Sequence, residues 1–228
     1  MNRPQAATAT PAIPMLRTLG LVAALSGLLV VLAYQLSLPL IEENRRIAIE
    51  QALFRVIPGA VARRDFMLTG DTLLPAIDGE SSNGMRIYAG YDAQGTLAGI
   101  ALEAAAQGYQ DVIRVLYSYG PACECIRGIE VLKMAETPGI GDRIAKDPDF
   151  LQNFAALDAR LDATGSGLAN AIVSVRHGSK TSPWQIDAIS GATISSQAVA
   201  RMLNESAQQH LPRLARRLEQ LQDGGAAP

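Results

Sequence analysis

The chain has 228 residues, 20 Lys and Arg against 22 Asp and Glu, two His and two Cys, which allows one or two domains. All the acids lie at or after Glu42, so the part from there on carries 18 bases against 22 acids. This balance excludes the basic face of a nucleic-acid-binding protein, and two cysteines and two separated histidines are too few for a disulfide framework or a zinc site.

Residues 1–17 form a Pro/Ala/Thr-rich tail expected to be disordered. From Thr18 to Ile41 there is no charge. A bilayer core needs about 20 such residues as a helix. The segment is longer than a signal-peptide core, ends in a poor cleavage site, and lacks the polar face of a core helix. It is read as an uncleaved transmembrane anchor over 18–41. Arg3 and Arg17 before it nearly balance Arg45 and Arg46 after it, so charge sets the orientation weakly. A short tail inside and a large domain outside is the simplest topology.

Residues 42–58 read as a helix, with Ile47, Leu53, Phe54 and Ile57 near helical spacing and Pro58-Gly59 as a stop. It continues the anchor as a stalk, and the stretch to residue 84 shows little periodicity and is read as a connecting region. A hairpin follows in 85–104, turning at Asp92-Ala-Gln-Gly95, and a second pairs 113–119 with 125–136 through Gly120-Pro121. Asp147 is placed to cap a short helix over 148–155. Residues 170–177 read as a strand, Ser195 to about Leu221 as a long helix, and 222–228 as a disordered tail. The pattern is an α+β fold of antiparallel hairpins with flanking helices, placed at 85–221, rather than an alternating βαβ fold.

Two stretches carry candidate chemistry. "DAISGATISS" runs from Asp187 to Ser196 just before the last helix. Gly191 permits close backbone approach, and a helix N-terminus is a seat for phosphate. Thr193 is expected about two residues before the helix, at that seat. The plainer alternative is that Ser195 or Ser196 caps the helix. The second stretch, "ETPGIG" from Glu136 to Gly141, forms a tight loop whose amides could face a flat ligand, or an ordinary turn.

Together the two stretches resemble the FMN-binding domain of the G-type subunits of Rnf electron-transport complexes. They are also similar to the C-type subunits of the sodium-pumping NADH:quinone reductase. Asp187, Ser190, Gly191, Ala192 and Thr193 match that family's flavinylation motif. Glu136, Thr137, Gly139, Ile140 and Gly141 match its ETPG loop, and "GYQDVIRVLYSY" matches its entering strand. The resemblance implies FMN held covalently through a phosphoester on Thr193, installed from FAD by a magnesium-dependent flavin transferase. Glu136, Thr137 and the backbone of Gly139 to Gly141 would lie along the flavin. It further implies an electron relay in a bacterial inner membrane, with the soluble domain periplasmic, acting with other membrane subunits and not as a complete enzyme. A flavin-free structural or assembly subunit is the competing reading.

Five residues fall outside the motifs. Cys123 and Cys125 could form a local staple or a dithiol redox pair. Trp184 is expected in the core, His177 at a strand end, and Lys180 in solvent.

Overall fold

The computed structural model describes residues 12–76 and 84–223. Two compact units divide at Ile47/Ala48. The first holds the apolar part of helix α1 (Ala12–Val56), the one helix among the described residues long and apolar enough to cross a membrane. Its leucines and valines stand exposed, as in Leu19, Leu28 and Leu36. A helix apolar on every side suits hydrocarbon rather than water. The helix already runs from Ala12, inside the expected tail 1–17, whose first eleven residues lie outside the described ones.

The second unit is built on a seven-stranded antiparallel sheet in the order β2-β1-β3-β4-β5-β6-β7. Its central strands are β3 (Met85–Tyr91), β4 (Leu97–Gln107), β5 (Val112–Gly120) and β6 (Cys125–Lys133). These are the two hairpins expected from the alternation. Side chains alternate between faces with period two. Ile87, Ala89, Ile100, Leu102, Val115 and Tyr117 enter the main core. Their neighbours Tyr88, Ala101 and Leu116 face the other way.

Helix α3 (Thr193–Ala215) contributes Val199, Met202, Leu203, Ala207, Leu211 and Leu214 to the main core. The last turns of α1 cover the opposite face with Ile49, Ala52, Leu53 and Val56, followed by Ile57. Of the four apolar positions expected on that helix, Leu53 and Ile57 are buried, whereas Ile47 and Phe54 are 40% and 37% exposed. The 49/52/53/56 set forms one stripe at i, i+3 and i+4, and 47 and 54 lie off it.

The connecting region read as aperiodic holds a hairpin, β1 (Ala62–Thr69) and β2 (Thr72–Pro75), paired into the same sheet. Residues 77–83 of that region lie outside the described residues. The 85–221 span therefore omits two strands of the sheet. Charges concealed the pattern: Phe66 and Leu68 are buried, but Arg63 and Asp65 pair with each other at 2.6 Å on the alternate positions.

Beyond β6 come a 3₁₀ turn (Gly141–Ala145) and α2 (Pro148–Gln152), whose Asp147 accepts from the amides of Asp149 and Phe150 as expected of its cap. The neighbouring Arg143 guanidinium holds the Asp147 carboxyl below its usual range. Short β7 (Leu157–Asp158) closes the sheet edge. The strand expected over 170–177 is β8 (Val173–Val175), paired in parallel with β9 (Gln185–Asp187), an element the sequence did not signal. The last helix breaks after Ala215 and resumes as α4 (Leu218–Asp223), so the expected tail 222–228 is helical at its start and otherwise outside the described residues. Tyr91 ties α4 down, donating its hydroxyl to the Leu221 carbonyl at 2.7 Å.

Phe150 and Phe154 meet edge to face at 5.3 Å and are buried. Phe154→Ala is expected to destabilise this unit by about 3–5 kcal/mol, as read from the urea midpoint. A loss below 1 kcal/mol would show that this end of the core is not close-packed.

Candidate functional site

The site begins with Glu136, which ends the run after β6 and is 6% exposed. One carboxylate oxygen accepts from the amides of Tyr109 and Gln110 at 3.0 and 3.2 Å. The other accepts from the Ser195 hydroxyl at 2.5 Å. A buried carboxylate is costly unless its lone pairs are filled. Here three donors from two other segments fill them, so Glu136 joins the 108–111 loop, its own loop and the start of α3.

The ETPG loop closes on itself. The Thr137 carbonyl accepts from the amides of Ile140, Gly141 and Asp142, and its hydroxyl accepts from Gln110 Nε2 at 3.0 Å. The Gly139 amide donates to Asp142 at 2.7 Å, with Gly139 at φ +77°. Lys146 pairs with Asp142 and holds its carboxyl below the usual range. Gly141 must be glycine for lack of room: a Cβ there would stand 2.6 Å from Glu136 Oε2.

Across the cleft, Ile189 to Ala192 make a turn with Gly191 at φ +86°, closed by the Ala192 amide on the Ile189 carbonyl. Ser196 pins it, its hydroxyl accepting from the Ile189 amide and donating to the Ala192 carbonyl. The N-cap of α3 is Ala192, with no side-chain cap. The alternative that Ser195 or Ser196 caps the helix is therefore wrong: Ser195 serves Glu136 and Ser196 serves the turn. The first-turn amides of a helix have no acceptor within it. Thr193 is also the first helical residue, not two residues before the helix, and it is exposed.

These pieces enclose an open cleft of about 490 Å³, lined by Tyr109, Glu136, Thr137, Ile140, Gly141, Gly191, Ala192, Thr193, Ile194 and Ser195. Seven of the ten expected site residues are among them. Ser190, Gly139 and Asp187 are not. Asp187 instead turns to the Gly178 amide, which donates to both its oxygens at 2.7 and 3.0 Å, with His177 Nδ1 at 3.6 Å. Its backbone is gripped by buried Asn153, which accepts from the Asp187 amide and donates to its carbonyl. Asp187 thus shapes the approach to the turn, and Asn153 is a supporting residue that nothing in the sequence marked.

Tyr109, Ile194 and Ser195 are lining residues missed among the candidates, although each adjoins or lies within a quoted motif. Tyr109, Ile140 and Ile194 are 66%, 50% and 51% exposed. Three large apolar side chains around one cleft suit a flat aromatic ligand. Trp184 is half-buried rather than in the core and does not line the cleft. Lys180 is exposed as expected, its ammonium donating to Asn153 at 3.0 Å. His177 lies two residues past β8.

Residues 108–208 match the FMN-binding domain family. The chain is 30% identical to the G-type subunit of the ion-translocating oxidoreductase complex of Methanosarcina acetivorans, over 83% of this chain and 89% of that one. It belongs to the family of Rnf G-type subunits. Its fold is similar to that of Shewanella oneidensis NqrC, at TM-score 0.54 and 20% identity, over 73% of this chain and 86% of that one. The C-type subunit of the Na(+)-translocating NADH-quinone reductase from Parabacteroides distasonis gives TM-score 0.54 and 21% identity over 66% and 76%. The FMN-binding match spans both loops of the cleft, from Gly108 past Ser195.

Gly141→Ala forces a methyl onto the Glu136 carboxylate. It is expected to cost about 1–3 kcal/mol of stability by crowding and to weaken the hold of Glu136 on Ser195. The measurement is thermal unfolding with amide exchange at Tyr109 and Gln110; unchanged exchange at both would remove Glu136 from its linking role.

Proposed function

We propose that this chain is the FMN-carrying subunit of an ion-translocating oxidoreductase complex, with the flavin phosphate esterified to Thr193 Oγ1. The observation that carries this reading is Thr193 itself: an exposed hydroxyl on the first residue of an uncapped helix, lining the cleft.

The residues fit the group. The exposed rings and methyls of Tyr109, Ile140 and Ile194 offer an apolar surface for the isoalloxazine, and the loop of Thr137 to Gly141 borders it. The start of α3 receives the phosphate charge. That electrostatic hold is weak alone. A helix terminus contributes about 0.3–2 kcal/mol to an anion, and among the described residues no Lys or Arg lines the cleft. Retention in so open a site therefore favours a bond over an ion pair.

In attachment, Thr193 Oγ1 bonds to the phosphorus of the FMN half of FAD, AMP leaves, and the hydroxyl proton is released. A flavin transferase using magnesium would carry this step. Bound FMN supplies one- and two-electron redox chemistry. The chain's residues position it: Glu136 fixes the three segments around it, and Asn153 and Asp187 fix the turn that presents Thr193.

The apolar part of α1 serves as a single-pass membrane anchor, with the soluble unit on the outer, periplasmic face of the inner membrane. There a dissociated flavin could not readily be replaced, which gives the ester a purpose. The other subunits of the complex would supply electron donor, acceptor and ion path. The Rnf reading stands ahead of the sodium-pump reading because the likeness to the sodium-pump proteins, at 20–21% identity, is one of fold.

The test is a denaturing gel under ultraviolet light, with wild type and Thr193→Ala each co-expressed with a flavin transferase. Wild type is expected to fluoresce and the variant to lose the signal completely. A dark wild-type band, with the transferase active on a control substrate, would replace this reading with a flavin-free structural role.

A further inference from the structure

The turn between β5 and β6 carries a feature that the flavin site does not use. Cys123 and Cys125 are joined in a disulfide, with Cα atoms 5.1 Å apart. The residue between them, Glu124, has φ +48°, the one positive φ of a non-glycine residue among the described residues. An L side chain disfavours that conformation.

A structural staple explains this poorly. A disulfide stabilises chiefly by restricting the unfolded chain, and the effect grows with the loop it closes. This one spans a separation of two residues, close to the smallest possible. The turn is also held without it. The Cys123 amide donates to the Gly120 carbonyl at 3.3 Å, and the Ala159 amide to the Glu124 carbonyl at 3.0 Å. Gly120 and Cys125 are ladder partners, as are Cys125 and Asp158. The backbone can therefore keep its course with the sulfurs apart.

The two sulfurs are unlike. Cys123 is exposed, whereas Cys125 is 6% exposed and sits within the ladder. Beside them lies a second cleft of about 530 Å³, bordered by Leu97, Pro121, Ala122, Ala156 and Leu218, with Arg127 at its rim. A Cβ on Gly120 would stand 2.7 Å from Arg127 Cδ and 3.0 Å from Cys123 Sγ, so the arginine stem and the Cys123 sulfur both border that glycine. The site lies at the far end of β5 from the flavin cleft. Nine extended residues span on the order of 25–30 Å, so the two sites are separate.

We propose that Cys123–Cys125 is a thiol–disulfide exchange site whose reaction partner is a dithiol reductant protein. A thiolate of the reductant attacks Cys123 Sγ, on the exposed cysteine of the pair. A bond forms between the two, the Cys123–Cys125 bond breaks, and Cys125 leaves as a thiolate that takes up a proton. The reductant's second thiolate then attacks its own sulfur in the mixed disulfide. Cys123 is released as a thiolate and is protonated in turn. Two electrons and two protons pass to the cysteine pair, and the reductant becomes a disulfide. The cleft admits the reductant's reacting segment, and the backbone hydrogen bonds of the turn hold its course through the exchange.

The test uses the full chain in detergent and a thioredoxin lacking its resolving cysteine, which stalls at the mixed disulfide. The trap is first shown to be active on insulin. Expected is a covalent adduct that maps by mass spectrometry to Cys123, with circular dichroism unchanged, and its complete loss in Cys123→Ser. Absence of adduct on the folded wild type, adduct equally on Cys125, or adduct only after denaturation would each overturn the proposal. None of these readings depends on flavin, so failure here leaves the assignment at Thr193 untouched, and the converse also holds.

Discussion

The cleft depends on one buried carboxylate. Glu136 brings together a loop before β5, a loop after β6 and the first turn of α3, which are 27 and 59 residues distant in sequence. Hydrogen bonds to a charged acceptor are worth about 1.5–3 kcal/mol each, enough in sum to offset much of the burial cost. The geometry allows no substitute nearby. Gly108 and Gly141 press on the carboxylate so closely that a Cβ at either would stand 2.5 or 2.6 Å from an oxygen. The glutamate and the two glycines therefore act as one unit. The site is shaped by the protein before any ligand enters it, which is what a cofactor-positioning scaffold requires.

The hydroxyls at the start of α3 divide their work by burial. Ser195 and Ser196 are buried and spend their hydrogen-bonding capacity inside, on Glu136 and on the preceding turn. Thr193, on another side of the same turn, is exposed. Alanine at the N-cap leaves the helix end without the side-chain oxygen that usually fills it. Each choice disfavours a self-contained helix start. Together they leave one exposed hydroxyl and a positive helix end at the same place.

Much of this was legible in the sequence, for physical reasons. The β3–β4 and β5–β6 hairpins show because their inward positions are apolar and their turns carry Gly, Asp and Pro. β1 stayed hidden because its alternate face holds an ion pair: Arg63, lying over the Tyr88 ring at 5.3 Å, with Asp65. β9 is Gln-Ile-Asp with one apolar residue, too few for a period, whereas its equally short partner β8 shows through the apolar run Ile172, Val173 and Val175 around it. Motif spacing brought Thr193 and Glu136 into one site, but it could not say which way each side chain turns. Asp187 points to Gly178, and Glu136 serves as a hub of hydrogen bonds. Asn153, which grips Asp187, carries no local signature, since its partners are backbone groups of a segment 34 residues on.

A sheet covered on both faces has only its edges and strand ends for chemistry. Here α3 fills one face and the last turns of α1 the other, so β3 and β5 are buried along most of their length and β4 through its middle. Tyr117 and Ser206 bridge one side of this core by a hydrogen bond of 2.9 Å, and Ser118 reaches the Val56 carbonyl on the other. The β5–β6 hairpin is thereby a rigid bar with two accessible ends. One end opens into Glu136 and the cleft beside Thr193; the other is the turn of Cys123 and Cys125. Segments at strand ends can vary without disturbing the core between them. The same fold can thus keep an ETPG loop and a threonine turn at one end while the opposite turn takes on a pair of cysteines that the flavin motif does not require.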